Sequence, residues 1–165
     1  MKLKSIIVSL LFLTLGIANL QAQKTTKAET VKKTTKMTAK ETVEGYSTAL
    51  SKGDIPGAFS YFSPNAKWHQ PGRHKLAGTK TGLDAIGKML GDMMGATQGT
   101  LVVKPTGAMM VNGNFVSFPV HFSGKIGDKT IDMKGIDLFE VVDGKIIQVW
   151  LFSEDQDRED AFWGK

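Results

Sequence analysis

Asp137 is the residue of this chain whose surroundings point most directly to acid–base chemistry. It lies in residues 135–152, which read as two strands joined at Asp143-Gly144, a dipeptide typical of a tight hairpin turn. Its neighbours otherwise suit a buried or half-buried sheet. An ionised carboxylate is costly there without partners, so Asp137 is hydrogen-bonded, neutral or facing a cavity. An acid that faces a cavity can hold or transfer a proton, which makes Asp137 the first candidate site residue.

Other kinds of active site find little support in the sequence. His69, Arg73 and His74 lie near one predicted turn, but their spacing matches no standard zinc site, so we expect a solvated loop and no metal. The chain has no cysteine and no serine in a recognisable nucleophile elbow. Gly78 and Gly82 are not followed by the lysine–serine pair of a P-loop and are more typical of turns. No cofactor is therefore expected.

The elements that must position Asp137 are helices first and strands afterwards. Thr38 and Glu41 have capping-box spacing before a helix that runs to Lys52, and Asp54 can cap a second helix that ends at Ser63-Pro64. Apolar periodicity and turn residues then predict, in order, a strand over 66–70, a loop, a helix over 84–94, and strands over about 100–110, 114–123, 129–142 and 145–155.

The chain ends in an acidic run, residues 154–160, and a short predicted helix that contains Ala161, Phe162 and Trp163. We expect the acidic run to be a solvated cap on that helix. The order of elements predicts an α+β fold, with helices packed in the concave face of a strongly curved antiparallel sheet. Such a sheet leaves a pocket at its open end, which is a usual place for a ligand.

The first residues have the pattern of an export signal. Lys2 and Lys4 precede an apolar run over residues 6–15, and Ala22 offers a small residue for cleavage before Gln23. The run is short for a bilayer span, which needs about 20 residues, although a retained anchor is the alternative. Residues 1–22 are therefore predicted to be a signal peptide, and the mature protein to be periplasmic or secreted, without a membrane span.

The positive charge is confined to the N-terminal part. Residues 23–40 hold six lysines and one acid and predict a disordered linker, whereas residues 41–165 hold 13 basic and 15 acidic residues, a net charge of −2. The linker has a weak alternative role in binding anionic surfaces. Residues 41–165 are enough for one domain and lack the basic character that would recruit nucleic acid.

Several motifs together make the sequence similar to a known superfamily. Over about residues 38–163 it resembles the SnoaL-like branch of the nuclear-transport-factor-2-like (NTF2-like) superfamily, which includes ketosteroid isomerases, polyketide cyclases and scytalone dehydratases. The motifs, in order, are Val43-Glu-Gly-Tyr-Ser-Thr-Ala-Leu50, Gly53-Asp54, Phe59-Ser-Tyr-Phe-Ser-Pro64, Ala66-Lys-Trp-His-Gln-Pro-Gly72, Gly78-Thr-Lys-Thr-Gly-Leu-Asp-Ala-Ile86, the hairpin 135–152 and Phe162-Trp163-Gly164. The resemblance implies a cone-shaped fold.

The resemblance also implies roles for three polar residues. Tyr46 falls where ketosteroid isomerases have the tyrosine of their oxyanion hole, and Asp137 falls where they have its neutral acid. Gln70 falls where they have the aspartate that shuttles the proton, which an amide cannot do. Tyr46, Gln70 and Asp137 should converge on one cavity. Strand alternation and the resemblance predict its apolar lining as Trp68, Met89, Met93, Phe118, Val120, Phe139 and Val149. The alternative for Trp68, Met89 and Met93 is that they serve only as core packing.

Three functions follow as hypotheses. The first is an exported protein whose pocket binds a small apolar, oxygen-bearing molecule. The second is an enzyme of the cyclase, isomerase or dehydratase type that uses Asp137 as acid or base. The third is a ligand-free interaction domain that forms a homodimer.

A homodimer is expected from the convex side of the sheet. The resemblance places Val149, Leu151 and Ser153 on the pocket side, which leaves Gln148, Trp150 and Phe152 on the convex side, with His121 nearby. Two large aromatic side chains on a solvated face typically mark a contact surface. The alternative is that residues 161–163 fold back and cover them.

Overall fold

The domain begins with two capped helices. The computed structural model describes residues 36–164, so the predicted signal peptide and the linker up to residue 35 lie outside the described residues. Thr38 caps α1 (Ala39–Ser51): its hydroxyl accepts a hydrogen bond from the Glu41 backbone N–H (3.2 Å), and Thr38 N–H donates to the Glu41 carboxylate (2.7 Å). Asp54 caps α2 (Ile55–Phe59). The domain therefore starts slightly before residue 41, because the capping box belongs to it.

Seven strands form one sheet. In the order β2-β1-β7-β6-β5-β3 each strand pairs with the next, and β4 also pairs with β5. Among the strands of residues 36–164, only β1 and β7 pair in parallel. The remaining elements are β1 (Phe62–Gln70), β2 (Gly78–Thr81), α3 (Leu83–Ala96), β3 (Val102–Pro105), β4 (Met110–Asn112), β5 (Phe115–Ile126), β6 (Lys129–Val142), β7 (Lys145–Ser153) and α4 (Gln156–Trp163).

The predicted α+β class is confirmed: the sheet is curved and unclosed, and the helices pack against its inner face. The core joins Val43 of α1 and Ile86 of α3 to inward-facing side chains of β5, β6 and β7. Along β5, Val116, Phe118 and Val120 are buried and alternate with less buried residues, as their spacing of two predicted. No helix within residues 36–164 has the length and apolarity that a bilayer crossing requires.

Three predicted boundaries were wrong. The second helix ends at Phe59, and Ser63-Pro64 belongs to β1, where the β1–β7 register shifts between Phe62 and Lys67. Proline is tolerated there because the ladder of hydrogen bonds is interrupted. The loop after β1 contains β2, which is too short and polar to show a pattern. The strand predicted over 100–110 is split, because the chain bends near Gly107, which packs closely on Pro119.

The last helix is longer than predicted, and its acidic residues are not all solvated. Asp155 caps α4 by accepting a hydrogen bond from the Arg158 backbone N–H (3.0 Å). Glu159 and Asp160 are buried, which corrects the expected solvated cap. The reason is helical geometry: residues 159 and 160 lie one turn before Phe162 and Trp163, so the turn of helix that buries the aromatic pair also buries the two acids.

Asp160 packs directly on Gly72 in the loop after β1. A Cβ atom on Gly72 would lie 2.1 Å from Asp160 Oδ1, and Gly72 has a φ of +90°. Both the backbone conformation and the contact therefore require glycine at this position.

Substitution of two glycines should have opposite effects on stability. Gly72→Ala is expected to lower the free energy of unfolding by roughly 2–4 kcal/mol, because it combines backbone strain with a clash against a buried acid. Gly91→Ala, in α3 with open space around the position, should raise it by about 0.5–1 kcal/mol through helix propensity. Urea denaturation of both variants measures the difference. A Gly72→Ala protein as stable as wild type would contradict the close packing of α4 on this loop.

Candidate functional site

The register of the sheet places Asp137 on its concave face. Asp137 on β6 lies directly opposite Phe118 on β5 and Leu151 on β7. Directly paired residues on neighbouring strands point to the same face, and Phe118 is buried in the core. Asp137 is itself half-buried. Its carboxyl therefore lies on the inner side of the sheet, among apolar side chains.

Tyr46 reaches the same inner face from α1. Its ring packs edge-on against Phe62, with ring centroids 5.3 Å apart, and lies 5.7 Å from the ring of Phe139. Phe139 in turn stacks on Phe118 at 5.6 Å. Since Phe118 pairs with Asp137, this aromatic group connects the tyrosine on the helix with the acid on the strand.

The apolar surroundings control the protonation of both groups. Burial raises the pKa of Asp137 to about 7, the direction expected from its sequence neighbours. Burial also raises the pKa of Tyr46, and the negative charge of Asp137 adds to this effect. The Tyr46 hydroxyl consequently stays protonated, and Asp137 is close enough for its charge to raise the pKa of that hydroxyl. Neither side chain forms a hydrogen bond with another residue in the range 36–164.

Gln70 takes part in a different set of hydrogen bonds. Its Oε1 accepts a hydrogen bond from Trp68 Nε1 (3.2 Å), and its Nε2 donates to Glu159 Oε1 (3.2 Å). Both polar ends of the Gln70 amide are thereby used, and neither bonds to Tyr46 or Asp137. Gln70 is thus held by β1 and α4, while Tyr46 and Asp137 remain available to a ligand.

The predicted apolar lining is buried together in one core cluster. Two open hollows of the described domain lie elsewhere: one of about 290 Å³ on the convex face beside Phe115 and Leu138, and one of about 480 Å³ beside Leu76 and Gly91. The buried members of the predicted lining are Trp68, Met89, Met93, Phe118, Val120, Phe139 and Val149.

Glu159 forms a buried polar cluster that the sequence analysis missed. Its carboxylate accepts hydrogen bonds from Gln70, from Gln156 Nε2 (3.2 Å), from Trp163 Nε1 (3.3 Å) and from the Ser153 hydroxyl. Burial raises the pKa of Glu159, and these hydrogen bonds oppose that effect. The spacing of Gln156, Glu159 and Trp163 on one helix was the available signal, but acidity suggested solvation instead.

His74 is buried as well, which corrects the expected solvated loop. It is 4% exposed and lies 6.1 Å from the ring of Trp163. The neighbouring Asp160 accepts a hydrogen bond from the Arg73 backbone N–H (2.9 Å), the largest of the effects that lower the pKa of Asp160. The sequence did not predict the burial of His74, because that burial depends on α4, which is distant in sequence. Within residues 36–164, no group of three or more potential ligands is arranged for a metal.

The convex face carries exposed aromatic side chains. Phe152 is 53% exposed, and Trp150 stacks on His69 with ring centroids 5.0 Å apart. His69 therefore faces away from the concave site, because strand alternation places it opposite Trp68 and Gln70. Phe162 and Trp163 are buried in the core, so they do not cover this surface, and the alternative expected for residues 161–163 is wrong.

Comparisons with known proteins agree with this architecture. An uncharacterised protein of Mycobacterium tuberculosis is 27% identical over 115 residues, which are 70% of this chain and 88% of that protein. A crystal structure from Xanthomonas campestris, of a protein of unknown function with a cystatin-like fold, is 40% identical, with a TM-score of 0.73 over 78% of this chain and 100% of that one. TerC, co-crystallised with polyporic acid, shares the fold at 19% identity, with a TM-score of 0.65 over 75% of this chain and 96% of its own.

The profile of the SnoaL-like domain matches residues 43–149, from α1 to β7. This range contains Tyr46, Gln70 and Asp137, and it covers most of the described domain. The chain therefore belongs to the SnoaL-like domain family.

Proposed function

We propose that the concave face binds a small apolar molecule through one oxygen atom, which Tyr46 and Asp137 hold. The observation that carries the proposal is the Asp137 carboxyl, which lies on the inner face of the sheet without a hydrogen-bond partner among the described residues. A half-buried carboxyl whose pKa is raised by its apolar surroundings is a candidate for a functional role. Binding of a ligand oxygen would supply the missing partner.

The two groups can act as a pair of donors. The Tyr46 hydroxyl is protonated, because burial and the Asp137 charge raise its pKa. A neutral Asp137 is also a donor, and its pKa of about 7 leaves a large neutral fraction at neutral pH. Two donors aimed at one carbonyl or phenolic oxygen recognise an apolar molecule by its single polar atom.

The aromatic surroundings favour a flat ligand. Phe62, Phe118 and Phe139 contribute rings close to Tyr46 and to Asp137. The flexible side chains of Met89 and Met93, on the α3 face that packs against this core, can rearrange to admit such a ligand. The co-crystal of TerC with polyporic acid supports the capacity of this fold to hold a small organic molecule.

An acid–base enzyme is the alternative within the same site. Asp137 has a pKa of about 7, close to the value at which a carboxyl both accepts and returns protons at neutral pH. Gln70 cannot accept and return a proton, and its amide is already hydrogen-bonded to Trp68 and Glu159. A reaction of the cyclase, isomerase or dehydratase type would therefore rely on Asp137 as its proton carrier and on Tyr46 as the donor to the substrate oxygen.

The Asp137→Asn variant should be more stable than wild type at alkaline pH. The pKa of Asp137 rises from 3.8 to about 7 on folding, so the folded state binds the extra proton between these values. Stability from this group is complete below about 3.8 and is lost as the pH rises through about 7. Asparagine cannot ionise, so at pH 8 the variant should gain roughly 1–4 kcal/mol, and the gain should disappear near pH 4.

Urea denaturation at both pH values measures this difference. Asp128→Asn, an exposed change in the β5–β6 turn, is the matched control and should alter stability little at either pH. An Asp137→Asn protein that is equally stable or less stable at pH 8 would show that the ionised carboxylate has partners, and the proposed donor role would fail.

Binding of 2-naphthol tests the ligand site directly. This probe is small, flat and apolar with one hydroxyl, and naphthalene is the same molecule without the oxygen. Tyr46→Phe should weaken 2-naphthol binding by about two- to tenfold, the effect of one hydrogen bond, and should leave naphthalene binding unchanged. Fluorescence titration gives both affinities. Equal losses for both probes would mean that Tyr46 only packs, and no binding of either to wild type would reject a pocket for flat molecules.

The convex face supports a second candidate function, self-association. Its apolar residues occupy neighbouring strands, since Trp150 pairs with Leu138 and Phe152 pairs with Ile136. Phe152 and Ile136 are both largely exposed. Such a surface on a monomer is unusual, and a two-fold axis through it would bury the same residues on both copies. We propose a homodimer formed by this face.

Two substitutions separate the dimer from a monomer. Trp150→Glu and Phe152→Glu should each convert the wild-type dimer into a monomer in sedimentation equilibrium, because each buries a charge in an apolar interface. Ile55→Glu changes an equally exposed apolar residue on α2 and should leave the dimer intact. A wild-type protein that remains monomeric at high micromolar concentration would reject the homodimer.

A further inference from the structure

The loop between β1 and β2 is held by two inward-pointing side chains. His74 and Leu76 are buried, although the loop that carries them lies between two strands at the edge of the sheet. Gly72 and Gly78 flank them, with φ values of +90° and +96°. Residues 72–78, called the β1–β2 loop below, thus have an internal anchor and a glycine with an unusual backbone conformation at each end.

His74 is held in one protonation state by its hydrogen bond. The Leu76 backbone N–H donates to His74 Nδ1 (3.2 Å), so Nδ1 carries no proton and the neutral ring has its proton on Nε2. Nε2 is buried without a hydrogen-bond partner among the described residues. Oδ2 of Asp160 on α4 accepts no hydrogen bond either, but it lies 3.5 Å from Arg73 Nε in an ion pair. The closed form therefore leaves one polar atom of the His74 ring without a partner, which costs free energy.

Protonation of His74 is incompatible with this position. The second proton must bind Nδ1, which would place it against the N–H of Leu76. The hydrogen bond that holds the loop would be replaced by a contact between two donors. The cationic ring would also have to stay in a largely apolar environment beside Trp163. A protonated His74 is therefore expected to leave its site and to carry the loop with it.

The charges around His74 come from three elements. Asp160 on α4 and the Pro71 carbonyl favour the cation, whereas Lys80 on β2 opposes it, and burial, the largest effect, lowers the pKa of His74. Arg73 in the loop is paired with Asp157 and Asp160. Glu159, the other acid on this side of α4, is bonded to Gln70 and to three neighbours of its own.

There is space into which the loop can move. The hollow of about 480 Å³ lies between Lys75 and Leu76 on one side and α3 on the other. On α3 the wall is formed by Gly91 and Gly95, where an added Cβ would meet no atom within 4 Å. Leu76 can thus shift towards α3 without displacing a packed side chain.

From these observations we propose that the β1–β2 loop is a gate operated by pH. Neutral His74 keeps it closed against α4, and protonated His74 opens it towards the hollow beside α3. Gln70 immediately precedes the loop and is bonded to Glu159 on α4, so opening would loosen the end of β1 next to the concave site. The role of the gate in ligand entry rests on the proposed function, but the opening of the gate does not require a ligand.

The direction of the pH effect follows from the groups involved. The closed gate holds His74 with a pKa below the ordinary 6.5, so the open form binds more protons and is favoured as the pH falls below about 6.5. Glu159 acts in the opposite direction: its pKa is raised above 4.5 in the closed form, so protonation of Glu159 favours closure at lower pH. A variant that removes only the His74 titration separates the two effects.

Hydrogen exchange of the Leu76 and Arg73 amides tests the gate. Their N–H groups donate to His74 and Asp160 in the closed form, so opening exposes both. Between pH 7.5 and 5.5 the protection factors in wild type should fall, because His74 has a lower pKa in the closed form and its protonation favours opening. His74→Asn keeps an acceptor near Leu76 but does not titrate, so its protection factors should not change with pH.

His121→Asn is the matched control, because His121 pairs with Asp132 on the outer surface and should leave the wild-type response intact. Protection factors that stay constant in wild type, or that fall equally in His74→Asn, would overturn the gate. If that variant does not fold, the ¹⁵N shifts of the wild-type ring decide: an Nε2–H tautomer above pH 7 supports the gate and an Nδ1–H tautomer rejects it. A gate that responds to pH in a protein that does not bind 2-naphthol would reject only the proposed ligand site.

Discussion

The unbroken antiparallel pairing of β5 with β6 sets the position of almost everything else in this domain. It runs from Phe115 opposite Glu140 to Ile126 opposite Lys129, and Gly127, with a φ of +59°, begins the turn that closes it. Side chains alternate between the two faces with a period of two, so a slip of one residue would move Asp137 to the convex face. The same slip would expose Phe139 to solvent and separate it from Phe118. Burial of these two rings therefore fixes the register and, with it, the site.

Glu159 and Asp137 occupy opposite environments in this domain. Glu159 accepts hydrogen bonds from four side chains, so its carboxylate is fully used in holding α4 to β1 and β7. Asp137 has no such partner among the described residues, and burial raises its pKa to about 7. The contrast distinguishes a structural acid, whose hydrogen bonds compensate for burial, from one that remains able to bind or to exchange a proton. Tyr46, which packs against the rings of Phe62 and Phe139, places a hydroxyl donor near Asp137.

The C-terminal helix links this site to the edge of the sheet. Gln70 is bonded to Glu159, and the next residue along α4, Asp160, packs against Gly72. The end of β1, the loop that follows it and α4 therefore form one polar assembly. Glutamine suits this position, because its amide can accept from Trp68 and donate to Glu159 at the same time.

Local patterns in the sequence determined the fold class, the capping box of α1, the hairpin turns and the alternation of buried residues along β5, because helix caps and strand alternation depend on residues a few positions apart. Only the tertiary structure decided the rest. The burial of His74, Glu159 and Asp160 and the partners of Gln70 depend on how α4 packs against β1, with more than 80 residues between the bonded groups. A charged residue near a chain end is expected to be solvated. The packing of α4 across the domain gives the opposite result, because it supplies hydrogen-bond donors and excludes water.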